Sequence, residues 1–415
     1  MSQVLDPATL ASALGALPGD DETRAARAAA IAAFATRGLP TPRNEAWKYT
    51  SLASLGKAAL RPASGSDSPE TPSSLGGTTL ADAVLARIHG GPDLIEATVL
   101  VVRDGRPDGD PTAAPAVDGD ALESLNAAWN PGVLDIEVPD GEVIPTPIVI
   151  VFVTSPGTAA HPRVNLRLGR DAQATVHELW VGPDEAAWTN AVAHITVGEG
   201  AKLTWSKLAD DGPGGFHTAT VHVDQAPHSQ VALTSVALGG SITRTALDLH
   251  LDRGATCTLN ALAIGAGNHH DHQVLVDHAA PEATSRQTFK GVLGRGGRAV
   301  FTGKVLVRPG AQKTDAAQSF RSLLLDEDAW ANARPQLEIH ADDVKCAHGV
   351  AIGALDAEHV FFLRSRGLSL PEARQLLTWA FAAETLDAFE GPWRDHVEAR
   401  VRDAMSHLDT PAEVA

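Results

Sequence analysis

Apolar residues recur at helical spacing near both ends of the chain. Residues 22–37 form an Ala-rich run that favours a helix, and this helix is predicted to end at Gly38 and Pro40. Residues 369–389 begin with the Ser, Pro and Glu of a capped first turn, and apolar residues follow at helical spacing. A last helix is predicted over residues 393–408. This two-helix tail is amphipathic, which suits it to packing on the end of the preceding region or on a partner.

The middle of the chain, residues 143–363, alternates apolar and polar positions in short runs that are typical of strands. Turns of small and polar residues separate these runs at intervals of 29, 26, 28 and 25 residues by subtraction. They lie at residues 168–172, 197–201, 223–227, 251–255 and 276–280, with a last one at 308–311. A strand-turn-strand repeat of this period predicts a mainly β solenoid. An antiparallel sandwich is the alternative, and the small residues at equivalent turn positions favour the solenoid.

These patterns divide the chain into five predicted regions. They are a helical region at 1–62, a linker rich in Ser, Pro, Gly and Asp at 63–78, a mixed region at 79–142, the solenoid core at 143–363 and a C-terminal helical region at 364–415. Within the mixed region we expect helices at 80–89 and 120–128 and a strand at 97–103. A solenoid has open ends, and the flanking helical segments are its natural caps.

Composition narrows the class of protein. The 415 residues are 44% hydrophobic and 20% charged, as expected of a folded chain, with a formal net charge of -18. Such an acidic balance argues against binding to nucleic acid and to anionic lipid. No apolar run approaches the roughly 20 residues that span a bilayer, and the start lacks the pattern of a signal peptide. With only two cysteines in the sequence, the expected compartment is a reducing cytoplasm.

The candidate chemistry centres on Cys346 and His348, which follow a strand-like run. In an extended segment two residues this far apart point to the same face, so a thiol and an imidazole would meet at one point. Iron and zinc are bound by these two ligand types. Two ligands do not close a metal site, so other residues of this chain or a second chain must complete it. The alternative is a buried structural Cys346 beside a hydrogen-bonded His348.

Other metal-ligand residue types have structural interpretations that we prefer. Cys257 lies in an ordinary alternating run, which predicts a core position. Four histidines cluster around Asp271, and a metal site is one reading of them, whereas a polar turn is the preferred one. These histidines are His269, His270, His272 and His278.

Neither an acid–base pair nor a phosphate-binding loop stands out. Glu178, Asp248 and Glu338 lie in strand-like runs, where carboxylates aligned across coils would serve a carbohydrate-active β-helix enzyme. No close spacing pairs these residues, so solvated wall positions are the preferred interpretation. Residues 294–298 are glycine-rich and basic but lack a following helix start, which predicts a tight turn between coils.

Several segments taken together resemble the SufB/SufD family of iron–sulfur cluster assembly. They lie at residues 43–50, 289–293, 311–318, 323–325, 335–339, 346–349 and 362–367. The resemblance covers most of the chain, and its segments are densest from His272 to Leu386. The Glu-x-Trp-Lys-Tyr-Thr segment at 45–50 is similar to the SufD branch of the family.

The resemblance implies a right-handed parallel β-helix with helical regions before and after it. It implies a non-enzymatic scaffold in a cytoplasmic complex with a SufB-type subunit and a SufC-type ABC ATPase. In that family the two β-helix subunits pair, and a cluster forms near their interface from a SufB cysteine and a SufD histidine. That histidine corresponds to His348, the expected metal ligand, with Cys346 beside it. The implied cluster is transient and is not held stably by this chain alone. In the isolated chain, the uncovered strand edge that would meet the SufB-type subunit could pair with a second copy to form a homodimer.

The C-terminal helical region is where the resemblance implies docking of the ATPase. The candidate docking residues are Arg364, Arg366, Leu368, Leu376, Phe381 and Phe389. Plain capping of the solenoid by these helices is the alternative. Residues 47–49 are expected to be structural and to pack on the first coils. Two other functions are kept as alternatives, namely a SufB-like scaffold that carries a cluster itself and a β-helix carbohydrate-active enzyme.

Overall fold

The computed structural model describes residues 5–6, 9–11, 14–17, 19–63, 97–108 and 119–408. Its five longer helices, in chain order, are α1 Asp21–Arg37, α2 Ala121–Trp129, α3 Ala357–Arg364, α4 Leu370–Leu386 and α5 Gly391–Ser406. Short 3-10 helices lie at Leu14–Ala16, Glu45–Trp47 and Leu55–Lys57. The predicted helices at 22–37, 120–128, 369–389 and 393–408 are confirmed. The predicted helix at 80–89 and almost all of the predicted linker lie outside the described residues.

The strands form two sheets and are numbered in chain order. Sheet 1 contains β1 Arg61–Pro62, β4 Val133–Val138, β6 Thr158–Ala160, β7 Arg163–Leu168, β9 Ala187–Val197, β11 Gly215–Gln225, β13 Ile242–Leu251, β15 His269–His278, β17 Arg298–Val307 and β19 Trp330–Ile339. Sheet 2 contains β2 Thr98–Arg103, β3 Arg106–Pro107, β5 Ile148–Val153, β8 Gln173–Val181, β10 Lys202–Asp210, β12 Gln230–Ala237, β14 Thr256–Gly265, β16 Thr284–Leu293, β18 Asp315–Leu324 and β20 Lys345–Gly353.

From β7 onward successive strands alternate between the two sheets, so each coil of the chain adds one strand to each sheet. From β8 onward the chain order runs 8, 9, 10 and 11, whereas the hydrogen-bonded neighbours are 8 and 10, or 9 and 11. The pairs are parallel except β2 with β3. This topology is a parallel β-solenoid, and it confirms the predicted fold class over the antiparallel sandwich. The predicted strand at 97–103 is also confirmed, as β2.

The repeated turns are explained by one residue per coil in the left-handed region of backbone conformation. These residues are Asp171, Gly200, His228, Gly254, Glu282 and Lys313, with φ between 56° and 69°. Their spacing is 29, 28, 26, 28 and 31 residues by subtraction. The amide of each donates to a carbonyl on the next coil, as Gly200 does to Pro227 at 3.0 Å. The turns therefore stack in a column, and each donates a backbone hydrogen bond to the next.

The helices cover the sides of the solenoid. On the outer face of sheet 1, α1 and α2 share an apolar cluster with Trp188, Phe216 and Ile242. On the outer face of sheet 2, α4 and α5 cover residues from β5 to β16, including Val151 and Val292. The tail therefore lies along a wall of the solenoid and does not cap its last coil, which corrects the expectation of an end cap. The outer face of sheet 2 is apolar, and the tail packs there because covering this face removes apolar area from water.

Polar contacts anchor each of the two tail helices to sheet 2. Lys290, whose side chain is almost fully buried, pairs with Glu384 and donates to the Phe381 carbonyl at 2.8 Å. Arg400 binds Asp210 at 2.6 Å. No helix in the described part of the chain is long and apolar enough to cross a membrane.

Candidate interface at the open end of the solenoid

The last coil of the solenoid is uncovered. Among the described strands, β19 pairs only with β17 and β20 pairs only with β18, so both strands end their sheets. Exposed apolar side chains lie on them, namely Ile339, Val350 and Ile352 at 40%, 47% and 40% exposure. An edge strand with free backbone groups and apolar side chains is a template for pairing with another chain.

Cys346 and His348 lie on β20 at this open end. In the register of the sheet, Cys346 stands over Ala316 and His348 stands over Gln318. Both residues of the earlier coil are buried and face the interior between the two sheets, so the Cys346 and His348 side chains start from the interior-facing side of β20. Cys346 is half-buried and packs on the core, whereas His348 is exposed.

The thiol is not activated by its surroundings. Burial raises the pKa of Cys346, and a hydrogen bond from the Ala316 backbone opposes that shift only in part. A thiol must lose its proton before it can bind iron. Of the two residues, the exposed imidazole is therefore the more available ligand.

The interior beneath the open end is filled. Gln318 donates from Nε2 to Oε1 of Gln287 at 3.3 Å. The rings of Phe289, Phe301 and Phe320 pack next to these amides, with successive centroids 4.4 and 5.7 Å apart. A molecule at His348 therefore meets a closed floor, and the site opens outward, toward whatever covers the last coil.

The described residues do not assemble a metal site around His348. In the parts of the chain that the structure describes, no group of three or more His, Cys, Asp or Glu residues is placed to hold a metal ion. At the same end, His340 Nε2 lies 3.1 Å from Glu338, which Lys304 also binds at 2.6 Å. These side chains satisfy one another and form a charged rim beside the open coil. Completion of the site by a second chain stays a prediction.

The histidine cluster consists of separate structural residues. All four histidines lie in strand β15 and not in a turn, which corrects the preferred interpretation. His269 bonds Thr50 at 2.8 Å, His270 bonds the Ile264 carbonyl at 3.1 Å, and His278 bonds Ser285 at 2.9 Å. His272 packs edge-on against Phe289. Burial lowers the pKa of His270 to about 3 and of His272 and His278 to about 4, so these rings are neutral near pH 7.

The three strand carboxylates lie in different environments. Glu178 is buried in the interior, where Trp180 Nε1 donates to it at 2.8 Å. Asp248 lies on the outer face of sheet 1 beside His222, and Glu338 lies on the rim. This arrangement offers none of the facing carboxylate pairs that a glycosidase mechanism requires. Glu178 is also not a solvated wall residue, which corrects that expectation.

Two features of the structure were missed in the sequence. One is a buried charged network in the interior, in which Lys207 stands opposite Glu178 and contacts His217 Nε2 at 2.8 Å. The signal available was a Lys at an interior-facing strand position one coil after a Glu.

The turn at residues 294–298 is confirmed as a coil turn, with Gly296 at a φ of 68°.

The second missed feature concerns the segment at residues 47–49. It was expected on the first coils, and the structure shows this to be wrong. Trp47 lies under the Arg244 guanidinium of β13 at 3.9 Å, and the Tyr49 ring lies 6.0 Å from that of Trp330 in β19. The segment therefore crosses the late coils. No local pattern in the sequence sets this placement, because it depends on where the chain returns after α1.

The candidate docking residues for the ATPase fall into two groups. Arg364 at the end of α3 and Arg366 just after it are exposed. Leu368 is half-buried, and Leu376 is exposed on α4. None of the described residues of α3 is buried, and Phe361 is 73% exposed. Phe381 and Phe389 instead pack on the outer face of sheet 2, where Phe389 is 3% exposed. A docking role for all six residues stays a prediction, and of the six Phe389 is the buried one.

Comparison with known proteins places the chain among iron–sulfur cluster assembly proteins. A family model described as the SufBD core domain of the SUF system for FeS cluster assembly matches residues 151–381. The iron–sulfur cluster assembly protein SufD of Escherichia coli is 33% identical over 370 residues, which is 85% of each chain. A SufBD family protein of Synechocystis is 34% identical over 65% of this chain and 62% of its own, and SufD of Bacillus subtilis is 26% identical over 65% and 63%. The matched core runs from β5 into α4 and includes the open end.

Proposed function

Because the chain belongs to the SufB/SufD family of iron–sulfur cluster assembly proteins, we propose that it acts as a SufD-like scaffold subunit. In this proposal it pairs with a SufB-type subunit, binds a SufC-type ABC ATPase, works in the cytoplasm and catalyses no reaction itself. Similarity to E. coli SufD along 85% of both chains supports the choice of the SufD branch over a SufB-like scaffold.

The observation that carries the proposal is the open last coil. Among the described strands, β19 and β20 each leave one edge unpaired, and Val350 and Ile352 are exposed on β20. A second β-helix that adds its own last coil would satisfy the backbone groups and bury these side chains. Without a SufB-type subunit, the same edges provide a surface for a second copy of this chain.

His348 is the residue that we assign to the cargo at this interface. It is exposed on the strand that the partner would cover, whereas burial raises the pKa of the neighbouring Cys346 thiol. An iron–sulfur cluster needs three or four ligands, so the partner would supply the remainder. A cluster would then be bound only while the two subunits are paired, and the isolated chain would hold none stably.

The ATPase is assigned to α3 and to the exposed side of α4. Leu376 and the residues of α3 leave apolar and basic side chains uncovered. The buried Lys290–Glu384 pair and the Arg400–Asp210 pair fasten the tail to sheet 2. Movement of a bound ATPase would therefore be passed to the wall of the solenoid and not absorbed by a loose tail.

Coexpression with the SufB-type and SufC-type subunits of the same genome tests the proposal. The wild-type chain should copurify with both, and the complex should accept iron and sulfide to give the visible absorbance of a cluster. His348→Ala should assemble the same complex and yield no cluster. The matched control is His340→Ala, because His340 is also an exposed histidine at the open end but is paired with Glu338. Failure of the wild-type chain to copurify would refute the scaffold role, and normal cluster formation by His348→Ala would refute the role of that residue.

A further inference from the structure

The segment at residues 45–50, here called the strap, lies across the outer face of sheet 1. Its inner end is fixed to the middle of the sheet. Trp47 is buried under the Arg244 guanidinium, and Thr50 donates from Oγ1 to the buried Asp271 carboxylate at 2.5 Å. Because Arg244 also pairs with Asp271, the strap is bonded to a network that already joins β13 to β15.

The other side chains of the strap reach the last strand of sheet 1. Glu45 binds Arg334 at 2.7 Å, and the Tyr49 ring lies 6.0 Å from the Trp330 ring and 5.9 Å from the Arg334 guanidinium. Trp330 and Arg334 both belong to β19 and are separated by an even number of residues, so they share its outer face. The strap thus links β19 to coils that lie deeper in the solenoid.

On the outer face of β19 the structure describes one further ion pair, between Glu338 and Lys304 of the neighbouring β17. Within the described strands it has one hydrogen-bonded neighbour, β17, and its residues are half-buried or exposed throughout. Its interior-facing residues Ala331, Ala333 and Leu337 pack on the core. An edge strand held on one side and one face opens more easily than a central strand. Contacts on its outer face therefore decide how well the strand is ordered before a partner arrives.

We propose that the strap positions β19, so that the open end of the solenoid is preformed for the subunit that pairs with it. The pairing itself rests on the proposed function, whereas the ordering of β19 is a property of the isolated chain. Preformed edges bind faster and more tightly, because the ordering cost is met within the folded chain and not at the moment of association. The ion pair and the ring contact are each weak on a surface, and their effect should be confined to the strand that they touch.

Amide hydrogen exchange of the full chain tests this proposal without any partner. In Glu45→Ala/Tyr49→Ala the inner anchor through Trp47 and Thr50 is kept and the contacts to β19 are removed. Exchange in residues 330–339 should become about fivefold faster, the factor that a small loss of local stability produces. Residues 215–225 in β11 should exchange as in the wild-type chain. The matched control is Arg43→Ala, because Arg43 is exposed just before the strap.

Each outcome has a defined meaning. Unchanged exchange in residues 330–339 would overturn the proposal, and so would an equal rise in β11, because the strap would then stabilise the whole fold. If the double variant does not fold, Glu45→Gln removes only the ion pair with Arg334, and a rise of about twofold confined to β19 is then expected. Association with the SufB-type subunit should weaken in parallel with the exchange. If the wild-type chain does not pair at all, the proposed function fails, while the exchange result still decides the role of the strap.

Discussion

His348 is the register partner of Gln318 in the parallel ladder of sheet 2, so an exposed histidine follows a buried glutamine from one coil to the next. Gln318 in turn stands above Gln287 and donates to it at 3.3 Å, while its own Oε1 has no hydrogen-bond partner among the described residues. The floor of the candidate site is therefore a polar ladder inside an apolar interior. Such a ladder is costly when only one of its members is removed.

Gln318→Met should lower the free energy of unfolding by about 1–2 kcal/mol, because Gln287 Oε1 loses its donor in a buried position. The double variant Gln287→Met/Gln318→Met should recover most of this loss, since two apolar side chains of similar shape replace two polar ones. Urea denaturation of the wild-type chain, both single variants and the double variant measures the difference. A double variant that is as unstable as the sum of the two single variants would show that the amides do not act as a pair.

The buried charges of Lys207 and Glu178, which stand opposite each other on neighbouring coils and attract each other, predict a stronger version of the same asymmetry. Burial lowers the pKa of Lys207 to about 8, and burial raises the pKa of Glu178 against the attraction of Lys207. Lys207→Met should cost about 3 kcal/mol or more, because it leaves a buried carboxylate without its cation. The double variant Glu178→Gln/Lys207→Met should be closer to the wild-type chain in stability, because no unpaired buried charge remains. Thermal unfolding compares the three proteins, and equal losses in the single and double variants would contradict the pairing.

The contact between α2 and sheet 1 should depend on pH. His222 Nε2 lies 2.6 Å from Glu123 Oε1, and this hydrogen bond raises the pKa of His222 above its ordinary 6.5. Burial acts to raise the pKa of Glu123, but hydrogen bonds from His222 and the Asp120 backbone bring it below 4.5. The charges that face His222 are those of Glu123, Asp248 and Asp224.

The direction of the pH dependence of stability follows from the raised pKa of His222 and the lowered pKa of Glu123. A raised pKa of His222 stabilises the fold below about pH 6.5, and this stabilisation is lost as pH rises through the higher folded value. A lowered pKa of Glu123 stabilises the fold above about pH 4.5 and is lost at lower pH. His222→Gln should therefore be less stable than wild type by about 1 kcal/mol near pH 5.5, and the difference should shrink toward pH 9. A difference that stays constant over this range would contradict the ion pair.

The two thiols should differ in reactivity. Cys257 is fully buried, and burial raises its pKa far above the ordinary value. Cys346 is half-buried at the open end, where burial also raises its pKa, but part of its surface is accessible to a reagent. A maleimide should therefore modify one thiol per native chain, and Cys346→Ala should abolish that modification, as mass spectrometry would show. Both thiols should react in urea. Native modification of Cys257 would contradict the burial of β14.

A partner that covers the open end should also protect Cys346 from the maleimide. In the proposed complex with the SufB-type subunit, Cys346 should react more slowly than in the isolated chain, because the partner covers β20. The comparison needs no functional readout. Equal rates in the two states would place the partner elsewhere on the molecule.

The sequence by itself determined the local structure and the class of fold. Alternation predicts the strands correctly as far as Gly353, and small residues such as Gly200 and Gly254 mark the turns between them. The predicted solenoid region was too long at its end, because residues 357–364 form helix α3. The capped start of α4 at Ser369 is likewise local chemistry, since its hydroxyl and Glu372 bond each other's backbone. The placement of Cys346 and His348 on the same side of one strand needs only the two-residue period.

Only the tertiary structure decided which surfaces these elements share. Phe389 is predicted as a docking residue but is buried, because it packs on the apolar outer face of sheet 2. Tyr49 reaches β19, nearly three hundred positions away along the chain, and no local pattern encodes a contact of that range. The buried Lys207–Glu178 pair exists because stacking brings successive coils into register. Packing, and not local spacing, leaves β20 uncovered, and that opening makes His348 available.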